Sequence, residues 1–293
     1  MQSLFSKMSR ENWMFFEPIN VRSSVETENC YITDMCVVSD LDLVIIDQNN
    51  KSVKLVDIKS DFVAGCLKFE TIPYSITKIS NKQVCVTFPS VQLIRLITVT
   101  KHGLYIHRTL NVNGFCVATV YRDGKLYVSY KNPTKFEILN KDGSVARLIN
   151  IDEAFSKLCT VPRYFTVAHD GKRIYVTDLT RDVVLCTDFE GKLINSFAEE
   201  NLDQPHGVIM STANEVYMTD RNNHTVMKFD KNLNKATPML TKKEGLRYPT
   251  AICITSSNKS LYISSASMKP EEKNYVRKYC LAKTFKIENV QRK

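Results

Sequence analysis

One short pattern recurs six times along this chain: an apolar, β-rich run that ends in a polar or aromatic residue. It reads LVIID to Asp47, VCVTF to Phe88, LYVSY to Tyr130, IYVTD to Asp178, VYMTD to Asp220 and LYISS to Ser265. The run ends are spaced by 88−47 = 41, 130−88 = 42, 178−130 = 48, 220−178 = 42 and 265−220 = 45 residues. A period of that length fits four short strands, and a unit so small buries its faces only by packing on its neighbours. The expected fold is all-β: a six-bladed propeller, its ring closed by a terminal strand.

At 293 residues, with 43% hydrophobic side chains, the chain is long for one domain yet ordinary for a propeller. The blades are expected at about 28–69, 70–111, 112–152, 153–201, 202–247 and 248–283. Residues 1–27 form a linker or a closing strand, and 284–293 a basic tail or a closing strand. FFEPINV (Phe15 to Val21) and TFKIENV (Thr284 to Val290) compete for the outermost place in blade six. Within blades, Asp123-Gly124, Asp142-Gly143, Asp170-Gly171 and Glu190-Gly191 read as two-residue hairpin turns, for which Gly supplies positive φ. In blade two, VQLIRLITV and GLYIHRTL are apolar enough to predict that both strands are well buried.

No run approaches the roughly 18 apolar residues that span a bilayer, and MQSLFSKMSRENWMFF lacks the organisation of a secretory signal. The nine cysteines are scattered, several within apolar runs, and none stands at CxxC spacing. They are expected to be reduced and largely buried, which points to a cytoplasmic protein without a zinc cluster.

The units QPHGVIMSTANEVYMTDRNNHTVMKFD and PRYFTVAHDGKRIYVTDLTRDVVLCTDFEG resemble NHL repeats, and a run of six is similar to the C-terminal propeller of tripartite-motif proteins. The likeness covers roughly residues 28 to 283. It implies a substrate-reading role in a ubiquitin ligase system, whose RING, B-box and coiled-coil modules have no counterpart in these residues.

In a propeller, the loops entering the innermost strands share one face with the turns joining second and third strands. Register places Tyr74, Asn113, Arg163, His206 and Thr250 at the inner-strand starts of that top face. Tyr164, Arg247 and Tyr248 flank them, and the turns add Tyr130, Lys131, Arg181, Arg221 and Asn222. Cations alternate with aromatics and amides, a composition suited either to single-stranded RNA or to an acidic protein segment. The net charge of +9 favours an anionic partner, and residues 241–293 carry 12 Lys/Arg against 4 Asp/Glu. Many of those lysines equally suit solvated strand faces; the arginines in short turns are the stronger candidates.

Asp47, Asp178 and Asp220 share one register, and an Asp at a strand end ordinarily bonds the backbone N–H groups of the turn that follows. The axial set holds a single imidazole, and no nucleophile sits in a recognisable motif. Neither catalytic nor metal-ligating residues are assigned, and no cofactor, membrane or DNA-groove partner is expected. A protein-interaction scaffold without RNA binding is the alternative, and a metal-dependent propeller lyase or hydrolase the third.

Overall fold

A computed structural model describes residues 13–199 and 202–281. It contains six four-stranded antiparallel sheets. Their innermost strands are Ile32–Val37, Ile76–Ser80, Phe115–Arg122, Tyr164–Val167, Pro205–Met210 and Pro249–Ile254, which line a common axis in chain order. The sixth inner strand packs against the first, so the ring closes. The core is divided into layers between adjacent blades, each built by the apolar positions that alternate along the strands.

The outermost strand of blade six is Trp13–Asn20, which pairs antiparallel with Tyr275–Leu281, Trp13 opposite Leu281 and Asn20 opposite Tyr275. Of the two candidate closing segments, FFEPINV therefore takes the place; TFKIENV lies outside the described residues. The closing strand then continues into residues 21–31, which are clamped by Asn274. The carbonyl of Asn274 accepts from Val21 N (2.8 Å) and its Oδ1 accepts from Cys30 N (2.9 Å).

The recurring Thr or Ser before each run's last residue has a structural cause that the pattern alone did not disclose. Thr87, Ser129, Thr177, Thr219 and Ser264 each donate a side-chain hydrogen bond to a carbonyl of the next blade, those of Val117, Pro162, His206, Thr250 and Ile32. Distances run from 2.6 Å at Thr219 to 3.4 Å at Thr87. Blade one has Ile46 at this position, and its link to blade two is made by Asp34, whose Oδ2 accepts from Ile76 N at 2.8 Å. Thr219→Val keeps the shape but orphans a buried carbonyl. It is expected to cost about 1–3 kcal/mol in urea unfolding with an unchanged denaturant slope.

Two expectations need correction. Only Asp123-Gly124 is a turn with both residues at positive φ (49° and 80°). At the other three sites Gly alone is left-handed, and a nearby Asp side chain (Asp142, Asp170 or Asp188) caps the turn's N–H groups. The outer strand of blade two, Gly103–Asn111, is mostly exposed rather than buried, because no further sheet covers an outermost strand; Tyr105 and Ile106 lie on the surface. The 48-residue spacing arises from a helix, Glu153–Leu158, inserted ahead of blade four. Asp152 caps its first turn by accepting from Phe155 N (2.7 Å), and Phe155 is buried between blades three and four.

Candidate functional site

The top face is ordered by the recurring aspartates. Asp178 Oδ1 accepts from Thr180 N (2.8 Å) in the turn that follows, as expected of a strand-end Asp. Its Oδ2 reaches back to Thr160 N and Val161 N (2.7 and 2.8 Å), just before the inner strand. Asp47 does the same with Tyr31 N (2.9 Å), and Asp220 with Asp203 N (3.2 Å). Each Asp thereby fastens the loop entering its blade to the turn between second and third strands. Burial opposes ionisation of Asp178, but five main-chain and hydroxyl donors from Thr160, Val161 and Thr180 outweigh it and lower the pKa; at Asp220 burial prevails and pushes the pKa up to about 6.

On this scaffold six of the expected residues join one chain of contacts. Lys131 Nζ sits 4.0 Å over the Phe115 ring, and Phe115 meets Tyr74 edge-on at 6.5 Å. The Arg163 guanidinium lies 3.5 Å from the centre of the Tyr74 ring and 5.3 Å from that of Tyr164. Tyr164 packs against His206 at 5.9 Å. Gln204 completes the series, its carbonyl bonded to His206 Nδ1 (2.9 Å) and its Oε1 to Arg221 Nη1 (2.6 Å). Tyr164 also crosses the axis: its hydroxyl donates to the Thr33 carbonyl of blade one, 3.0 Å away, bridging the channel beneath Arg163.

Arg247 and Tyr248 form a second patch beside blade five. Tyr248 N donates to His224 Nδ1 (2.9 Å) with the two rings 4.2 Å apart, and Arg247 Nη1 donates to the carbonyls of Lys242 and Leu246. Arg181 is exposed in its turn, and Asn222 is pinned to Asp203 Oδ1 (2.9 Å). Tyr130 is the misplaced residue. It is 0% exposed, because strand alternation turns its ring into the layer between blades two and three, among Cys85, Leu96 and Cys116. Buried there, it offers no contact surface.

Charge is distributed in a telling way. Among the described residues no carboxylate stands within ion-pair distance of Arg163, Arg181, Arg221 or Arg247. The Arg163, Arg221 and Arg247 groups are held instead by ring faces, an amide and carbonyls, which orient them without neutralising them. Asp34, on the first inner strand, lies within electrostatic reach of Arg163. Burial raises its pKa to about 6 against the pull of its backbone donors and of Arg163. His206, 5% exposed, is driven down to about 4 by burial, helped by Arg221 and Arg163. Its imidazole is expected to stay neutral to near pH 4 in an NMR titration, against about 6.5 for an unperturbed histidine.

Phe115, Gln204 and Asp34 are the members that the sequence reading left out. Phe115 and Gln204 stand at or beside inner-strand starts, so register could have found them. Asp34 carries no such signal.

One cluster of acidic and thiol side chains has cation-ligand spacing among the described residues: Glu26, Cys30 and Asp47. The ammonium of Lys54 occupies its middle, 2.6 Å from Glu26 Oε2, 2.7 Å from Asp47 Oδ2, 3.0 Å from the Val21 carbonyl and 3.3 Å from Cys30 Sγ. Burial, with Asp47 nearby, pushes the Cys30 thiol up to about 12, so it stays protonated.

No protein-family model matches the chain, and no curated protein matches it in sequence. Solved structures do match in shape. The WD40 β-propeller domain of Doa1 is 11% identical with a TM-score of 0.64, covering 93% of this chain and 98% of that one. A protein of unknown function from Bacteroides caccae is 13% identical with a TM-score of 0.66, covering 82% and 90%. A streptogramin B lyase is 14% identical with a TM-score of 0.59, covering 91% and 98%. At such identities the likeness speaks for the fold alone: the chain is an all-β, six-bladed β-propeller.

Proposed function

We propose that this ring is a non-catalytic recognition platform that binds an anionic partner through its top face. The observation that carries the reading is the set of guanidinium groups at Arg163, Arg221 and Arg247, fixed in place yet paired with no carboxylate among the described residues. A guanidinium already held in place loses little conformational freedom on pairing, so it gains more than a mobile one from a carboxylate or phosphate. Propeller rings commonly serve as protein-interaction platforms, and the WD40 likeness agrees with that use.

The NHL-repeat resemblance adds a narrower setting, the substrate-reading end of a tripartite-motif ubiquitin ligase system. The cysteines suit a reducing compartment such as the cytoplasm: all nine are free, and seven of them are buried.

A shape likeness to lyases keeps catalysis as the competing reading. Against it stand the chemistry of the axial residues Tyr74, Asn113, Arg163, His206 and Thr250, with a single imidazole, and the Tyr164 bridge across the channel. Retention on immobilised polyglutamate and polyuridylate at low salt tests the proposal. The double variant Arg163→Glu, Arg221→Glu is expected to lose at least about tenfold in affinity for whichever polyanion the wild type binds. Equal retention of the two proteins would move the site elsewhere.

A further inference from the structure

The partner's chemistry can be narrowed from what the top face leaves available, an argument that rests on the anion-binding reading above. Single-stranded nucleic acid is held largely by bases stacked on open aromatic faces. Here those faces are taken. Tyr74 is covered by Arg163 at 3.5 Å and Phe115 by Lys131 at 4.0 Å. His224 meets Tyr248 at 4.2 Å, while Tyr164 and Tyr130 are buried. A guanidinium lying on a ring keeps its in-plane N–H edge, which matches a carboxylate fork, while the covered face is closed to a stacking base.

His206 adds a second constraint. Its Nδ1 faces the Gln204 carbonyl at 2.9 Å, and a carbonyl only accepts, so the neutral ring carries its proton on Nδ1. Nε2 is thereby an acceptor, on a ring near enough to Arg163 and Arg221 to feel both charges. The complementary ligand carries anionic groups on either side of one N–H or O–H donor. An extended peptide with acidic side chains has that arrangement, its backbone N–H groups lying between carboxylates.

We infer that the top face binds an extended acidic protein segment, with Asp or Glu carboxylates on the edges of Arg163 and Arg221 and a backbone N–H donated to His206 Nε2.

Phage-displayed random dodecapeptides and a random pool of single-stranded RNA, selected in parallel on the full chain, test this. Asp- and Glu-rich peptides are expected to emerge, and their affinity should fall about tenfold or more with Arg163→Gln. An N-methyl scan of a selected peptide should show a backbone position between acidic residues where methylation weakens binding, whereas a purely electrostatic attraction would tolerate methylation throughout. Recovery of RNA binders sensitive to Arg163→Gln, with no acidic peptides, would overturn the inference while leaving the anion-binding platform intact. Binders from either pool that ignore both Arg163→Gln and Arg221→Gln, or no binders at all, would overturn the platform as well.

Discussion

Trp13→Ala is expected to lower the unfolding free energy by about 3–5 kcal/mol, a large fraction of the stability of an ordinary domain. Trp13 is 5% exposed and packs in the layer between blades five and six with Tyr217, Leu240, Leu246, Ile252 and Tyr279. Its strand is also the only partner on the outer side of Tyr275–Leu281, so loosening it uncovers a row of backbone donors and acceptors at the ring's seam. Met14, the next residue on the strand, is half exposed and supplies the control: Met14→Ala should change stability by no more than about 0.5 kcal/mol. Urea denaturation of the two variants decides the matter. Equal effects would mean that the closing strand contributes little beyond its edge hydrogen bonds.

Lys54→Met should be destabilising to a similar degree, about 3–5 kcal/mol at neutral pH, because it strands Glu26 and Asp47 in the interior without their cation. All three side chains are fully buried. The ion cluster gives a pH signature with a definite sign. Burial opposes ionisation of Asp47, but Lys54 and the bonds from Tyr31 and Asn50 win and hold its pKa below the ordinary value. Its contribution is therefore present above about pH 3.9 and is lost as pH falls through the depressed folded value. Burial likewise works against the Lys54 ammonium, yet Asp47 prevails and raises its pKa. That contribution is complete below about pH 10.4 and disappears as pH rises through the raised folded value. The margin should be largest at neutral pH and shrink as pH falls, because Asp47, buried without its cation, is relieved by protonation in the variant while the wild type loses its ion pair. A margin independent of pH from 3 to 7 would show that Lys54 acts through packing alone.

Much of the architecture was readable from residue pattern. Strand alternation and near-equal spacing announced the blades, whereas the helix that lengthens the spacing before Asp178 emerged only in the structure. The turn aspartates were correctly read as backbone acceptors, but they also accept from a loop distant in sequence, which no local rule foresees. Tyr130 shows the limit from the other side. Its type and its position at a strand end suited the top face, and only the direction of its side chain decided that it belongs to the core. Lys54 is a sharper case, since a lysine in SVKLVD reads as a solvated position; Glu26 and Asp47, remote along the chain, make its burial tenable.

The repeat determined by itself that the chain is a ring of six blades, because units of this size bury their faces only against one another. Which terminus seals that ring, which cations stand free and which side chains meet over the axis were decided by tertiary structure. These depend on contacts between segments tens to hundreds of residues apart, such as Asn274 with Cys30 and Arg163 with Tyr74. Such contacts answer to the closure of the whole ring, and no stretch of sequence short enough to show a pattern contains both partners.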